Sequence, residues 1–176
     1  AQEPPPPNAE PYEYTYLSMD GEKTATEYAY HDPLPLYVED LTETDYDRYS
    51  CKREDSSTPL VTRQIFSQET RWGDWDSDAP ELRCTTYDIK LALLFDPCLQ
   101  GKLDEYADRK WSMMDYREAD AAPWGADRAW QLWDTEDSTP RDSWLLVYGR
   151  RIVIIDMDSI EMDGARMALV GERLGK

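Results

Sequence analysis

Asp74-Trp75-Asp76-Ser77-Asp78 sets three carboxylates at alternate positions. On a curved loop that spacing turns Asp74, Asp76 and Asp78 to one side, as a hard cation such as Ca²⁺ requires of its oxygen ligands. An EF-hand-like loop would add Gly at its sixth position and an acid at its twelfth. Ala79 and Thr85 stand there instead, so the motif is half complete and a solvated acidic loop is the simpler reading. Trp72 and Trp75 lie in the same polar segment and are the candidate ligand-binding residues, because exposed indoles stack on sugar rings. A calcium- or carbohydrate-binding module centred on residues 71–81 is therefore one functional expectation.

Other chemistries find less support. His31 is the sole histidine, which excludes zinc sites built on two or three histidines. It lies in His31-Asp32-Pro33, a segment that breaks regular structure, and reads as an exposed loop residue. No G-x-S-x-G elbow accompanies it. Cys51, Cys84 and Cys98 form no C-x-x-C pair, which argues against zinc ribbons and thioredoxin chemistry. Cys84–Cys98 would close the shortest disulfide loop, but buried free thiols are the favoured reading. The eight glycines include no phosphate cradle. The 37 acids allow a glycosidase-like carboxylate pair to be chosen almost at will, so that idea has no specificity. The expectation is a chain without catalytic residues.

Composition sets further limits. The 176 residues carry a formal net charge of −18. Residues 1–60 hold 14 of the 37 acids and only 4 of the 19 bases. Such a field has the wrong sign to track a phosphate backbone, so nucleic acid is not an expected partner. No apolar run approaches the roughly 18 residues of a membrane span. Leu, Ile, Val and Phe together number only 29, a share that resembles disordered chains. Seven Trp and twelve Tyr argue the other way. The expected core is therefore built largely from Trp, Tyr and Met, with Trp111, Trp130, Trp133 and Trp144 inside it.

The elements that must carry these residues follow from local pattern. Residues 1–11 read as a Pro-rich linker and 12–176 as a single domain. Pro4 to Pro7 give an extended spacer. Such spacers often follow a signal peptide, a lipid-anchored Cys or a membrane helix, and the chain starts at Ala1 without Met. Tyr12 to Ser18 alternates as a strand, Asp20-Gly21 turns, and Thr24 to Tyr30 returns. Val38 to Leu41 is a helical turn. Strands are expected at 46–53, 60–69, 82–91, 111–116, 144–148 and 152–156. Arg128 to Trp133 is ambiguous between strand and helix. Ile152-Val153-Ile154-Ile155 is apolar on both faces and belongs at the centre of a sheet. Helices are expected at 97–110, with Leu99, Leu103 and Tyr106 on one stripe, and after Asp163, which caps the last one. The fold class is α+β, mainly antiparallel sheet with two or three helices on one side. Several strands followed by a helix occur twice, which suggests an internal strand-strand-strand-helix duplication with halves 32–110 and 111–176.

Three segments also form a familiar order: Leu34-Pro35-Leu36-Tyr37-Val38-Glu39-Asp40-Leu41, Pro123-Trp124-Gly125-Ala126 through Trp133, and Leu145 through Asp156 with its closing helix. This order resembles the extracytoplasmic domains of uncharacterised membrane proteins and lipoproteins from gut Firmicutes. Tyr37 stands where that pattern has Thr. The matching residues are packing residues, so the resemblance implies no activity and no site residue. It implies a location outside the cytoplasmic membrane, held there by a preceding segment. The expected function is a non-enzymatic interaction or sensing module whose partner is an unknown protein or envelope component. It would meet the membrane only through its tether.

Overall fold

The computed structural model describes residues 4–74, 76, 78–106 and 112–176. β1 (Ala9–Ser18) and β2 (Gly21–Tyr30) form a separate two-stranded ribbon, turned at Met19-Asp20 and paired Ala9 to Tyr30. The strand begins three residues inside the expected linker, because Ala9, Glu10 and Pro11 complete the ladder opposite Tyr30, Ala29 and Tyr28. The main sheet is antiparallel throughout. It comprises β3 (Tyr49–Ser57), β4 (Val61–Thr70), β5 (Glu81–Ile89), β6 (Met114–Ala119), β7 (Arg128–Asp134), β8 (Thr139–Tyr148) and β9 (Arg151–Asp158). Their order across the sheet is 3-4-5-9-8-7-6. Segment 128–133, ambiguous from pattern alone, is strand β7, held between β6 and β8.

β9 occupies the centre, as its apolar run requires, and Ile152, Val153 and Ile155 are fully buried. Period-two alternation sends its residues to both sides. On one side Val153, Ile155 and Met157 join Trp144, Leu146, Cys84 and Phe66 beneath α1 (Val38–Leu41) and α3 (Gly164–Leu174). On the other, Ile152 and Ile154 join Leu145, Val147 and Trp130 beneath α2 (Ala92–Leu103). The helices thus lie on opposite faces rather than on one side. A central strand that is apolar all round needs cover on both.

α2 starts five residues before the expected Pro97, and that proline lies inside the helix. Proline reads as a helix start because it lacks an N–H. Here the carbonyl deprived of its partner is that of Leu93, on the exposed side of the helix. The stripe itself holds: Leu99 is buried, Leu103 packs beside it, and Tyr106 meets the ring of Tyr116 at 5.8 Å. At α3, the Asp163 side chain accepts a hydrogen bond from the Arg166 amide, the expected cap.

The aromatic-core expectation is corrected. Of the 27 Leu, Ile and Val side chains, 17 are buried. Trp124, Trp130 and Trp144 join them, Trp133 is half-buried and Trp72 is exposed. Tyr49 alone among the described tyrosine side chains is buried. Period-two aromatics fit a buried strand and a surface ribbon equally well, and here the tyrosines mostly went to the surface.

The first two segments of the resembling order and the closing helix serve as covers, while residues 145–156 are the central strands beneath them. Leu34, Leu36, Val38 and Leu41 close one face. The Val38 amide donates to Gln68 Oε1 at 2.7 Å, and Gln68 Nε2 donates to Glu39. Gln68 is fully buried, so these bonds offset the desolvation of its amide. Tyr37 donates its backbone N–H to Asp40 and accepts the Leu34 amide on its hydroxyl. Trp124 meets Trp144 at 5.3 Å, and its carbonyl accepts the Tyr148 hydroxyl. α3 approaches that carbonyl so closely that a Cβ at Gly171 would stand 2.0 Å from the Trp124 oxygen.

Gly171→Ala is expected to cost about 1–3 kcal/mol by forcing α3 off this contact. Gly101→Ala, on a part of α2 with nothing near its Cβ, is expected to gain about 0.5–1 kcal/mol. Urea unfolding of both variants checks the pair.

The thiols of Cys84 and Cys98 are free of disulfides. Burial pushes Cys84 from 9.0 up to about 12 and Tyr148 from 10.0 up to about 12. Both groups stay neutral in the fold, while the unfolded chain releases their protons sooner. Their contribution to stability is complete below pH 9 and is lost as the pH climbs towards 12. Thiol titration of native protein is expected to label half-buried Cys98 first and to leave Cys51 and Cys84 until unfolding.

Candidate binding surface

Loop 71–80 joins β4 to β5, and arginines organise it. The Arg71 amide bonds the Arg48 carbonyl at 2.8 Å. Arg71 Nε lies 3.3 Å from Asp74 Oδ2, and Arg48 Nη2 lies 3.7 Å from Asp76 Oδ2. Asp76 Oδ1 also accepts the Asp78 amide at 3.0 Å, a side-chain turn. The Asp74, Asp76 and Asp78 carboxylates are therefore directed to separate partners or to solvent. Among the described residues, no group of three or more acidic, Cys or His side chains is arranged to hold a metal ion.

Trp72 is 70% exposed, as expected of a ligand platform, whereas Trp75 lies outside the described residues. What pattern reading missed is the company Trp72 keeps. Its amide donates to the Tyr12 hydroxyl at 2.8 Å, across 60 residues of chain. Its ring lies nearly parallel to Tyr14, at 6.5 Å between centroids. Tyr12, Tyr14 and Tyr16 form a ladder along one face of β1, with successive ring centroids 6.1 and 6.0 Å apart. The Arg71 guanidinium lies 5.2 Å from the Tyr12 ring. Burial, more than any neighbouring charge, raises the Tyr12 hydroxyl above its ordinary range. The alternation that aligns these tyrosines was legible. Their contact with residues 71–74 was not, because no local signal reports it.

At its root the ribbon ties to β3. The Tyr30 amide donates to Ser50 Oγ, and His31 makes a single parallel bridge to Cys51. His31 is exposed and its Nε2 lies 3.2 Å from Glu10 Oε2. Between ribbon and sheet runs a groove of about 290 Å³. Trp72, Tyr12, Tyr28 and Tyr30 line it with Glu27 and Lys52. Lys52 Nζ sits 4.8 Å from the Tyr30 ring centre. At the far end of the ribbon Leu17 and Met19 are almost wholly exposed and Tyr16 is partly so, beside the exposed Lys23–Asp20 ion pair.

No family model, curated protein or solved structure matches this chain at a significant level.

Gly73 marks where the ribbon docks. Its φ of +89° suits glycine, and a Cβ there would come within 2.8 Å of Tyr14 Cβ. Gly73→Ala is expected to release the ribbon while leaving the main sheet intact. Amide hydrogen exchange would then speed up in residues 9–30 and stay slow in β5, β8 and β9. Equal acceleration in both would show that ribbon and sheet unfold as one unit.

Proposed function

We propose that the chain is a non-enzymatic recognition module that works outside the cytoplasmic membrane, with the β1–β2 ribbon and residues 71–74 as its recognition surface. The single observation behind the proposal is a ten-residue-per-strand ribbon that stands off the main sheet and carries Tyr16, Leu17 and Met19 in solvent, with Trp72 exposed on the loop beside it. The core closes without these side chains, so packing gives no reason for them. Apolar and aromatic groups gathered on an exposed arm suit a protein partner. The proline run leading into β1 supports a tethered arrangement, with the anchor N-terminal to it. The acidic skin would be repelled by anionic headgroups and keep the module in solvent.

The interleaved aromatics and polar groups of the groove favour a second reading, in which Trp72 stacks on a neutral saccharide whose hydroxyls bond Glu27 and Lys52. The calcium form of that reading loses its basis, since Arg71 and Arg48 take two of the three loop carboxylates. The paired meanders β3–β5 and β7–β9, each followed by a helix, support an ancient duplication of the strand unit. The opposite placement of α2 and α3 restricts any shared unit to the strands.

A photo-crosslinking residue at Leu17 or Tyr16 is expected to give a defined adduct in the native host, and the same residue at Leu93 on α2 is expected to give none. Adducts at Leu93 alone, or none at any position, would sink the ribbon as the recognition surface. Loss of binding to a panel of oligosaccharides on Trp72→Ala, without any protein adduct, would select the saccharide reading instead.

A further inference from the structure

A second hollow, of about 390 Å³, opens on the sheet face that also carries α3, away from the ribbon. Its floor is made by the short polar side chains of Thr62, Gln64 and Thr86. Around it stand Arg53 from β3, Arg151 from β9 and Arg173 from the end of α3, with Lys176 at the rim. In a chain of net charge −18 with 19 basic residues, this gathering of guanidinium groups needs a cause.

Structural pairing accounts for part of it. Asp55 takes Arg53 through Nε and Nη2 at 3.2 and 3.0 Å. Asp88 takes Arg151 at 2.7 and 3.3 Å, and the Leu174 and Lys176 carbonyls take its Nη1. Arg173 is different. Its nearest carboxylate oxygen, on Asp40, lies 3.8 Å away, and among the described residues it donates no hydrogen bond. Thr86 is different too. Its side chain is 6% exposed, and its hydroxyl has only the Cys84 sulfur at 3.9 Å. A guanidinium with idle donors and a buried, weakly satisfied hydroxyl thus line the same hollow. Gln64 belongs to the locked part of the lining: its amide oxygen turns to Arg53 and its Nε2 to Asp55.

We infer that this hollow binds a small, multiply charged oxyanion, held by the Arg173 fork and by the Thr86 hydroxyl. Arg53 and Arg151 supply positive field from positions already locked by Asp55 and Asp88. Guanidinium forks match the paired oxygens of phosphate and carboxylate groups. The protein's overall negative field does not prevent binding, because at physiological salt it is screened beyond about 8 Å. Contacts inside the hollow are screened far less.

The test is isothermal titration calorimetry of the whole chain at physiological salt, with inorganic pyrophosphate in one arm and citrate in the other. Saturable binding of at least one probe is expected. Arg173→Gln should weaken it by about tenfold or more, and Thr86→Val should weaken it less. Arg117→Gln, whose guanidinium lies over Trp133 on β7, should leave it unchanged. The arm that binds identifies the oxyanion as phosphate or carboxylate. No saturable heat with either probe overturns the inference. So does binding that Arg173→Gln and Thr86→Val both leave intact while circular dichroism shows both variants folded.

Discussion

β9 is apolar on both of its faces, and nearly everything else in the fold answers to that. A strand of this kind is stable only between two dry layers. One layer is α2, a single helix that lays Leu99 and Leu103 over Leu145, Val147 and Ile152. The other is assembled from pieces distant in sequence: residues 34–41, the turn at Trp124, and α3. Gly171 is the point at which the pieces touch most closely. Gln68, the one buried amide in that layer, is satisfied by Val38 and Glu39 and so ties the cover to the sheet beneath it. With 17 aliphatic side chains committed to this arrangement, few remain for any other core. That is why the ribbon has to be held by polar and aromatic contacts.

The acidity of the chain shapes its loops more than its core. Acids outnumber bases by 37 to 19, and several arginines clamp carboxylates: Arg71 and Arg48 on the 71–78 loop, Arg83 on Glu69, Arg151 on Asp88. Exposed pairs of this kind add little stability singly. Their effect is positional: they hold a loop dense in like charge in one shape. Arg173, 3.8 Å from Asp40, is held less firmly than these.

Legibility in the sequence followed the range of the interaction. The β8–β9 hairpin, the central place of β9, the helical turn at 38–41 and the Asp163 cap all rest on signals within a few residues, and all could be read. The start of α2 could not, because Pro97 mimics a helix start and nothing local says that the exposed Leu93 carbonyl can go without its bond. The face on which each helix packs was also hidden, since alternation reports that two faces exist but not which connection covers which. Trp72 was legible as an exposed indole in a polar loop. Tyr12 and Tyr14 were legible as a strand, but their meeting with Trp72 closes a gap of 60 residues. The oxyanion hollow draws on β3, β4, β5, β9 and α3 at once, so no window of sequence contains it.

An isolated two-stranded ribbon is marginally stable in water. This one spans roughly 30 Å at the usual strand rise, yet its fixed points run only from the root to the middle: Ser50 and Cys51 at the root, and residues 71–74 against Tyr12 and Tyr14. The bare tip at Leu17 and Met19 is therefore coupled to the body only through the tyrosine ladder and the loop that β4 delivers. A partner that grips the tip need not disturb the sheet, but it must act on the Tyr14–Trp72 contact, because that contact fixes the angle of the ribbon. Loop 71–78, whose acids first suggested a metal site, then has a mechanical part: its arginine clamps give the ribbon a firm seat, and the rigidity of that seat sets how much ordering a partner has to supply on binding.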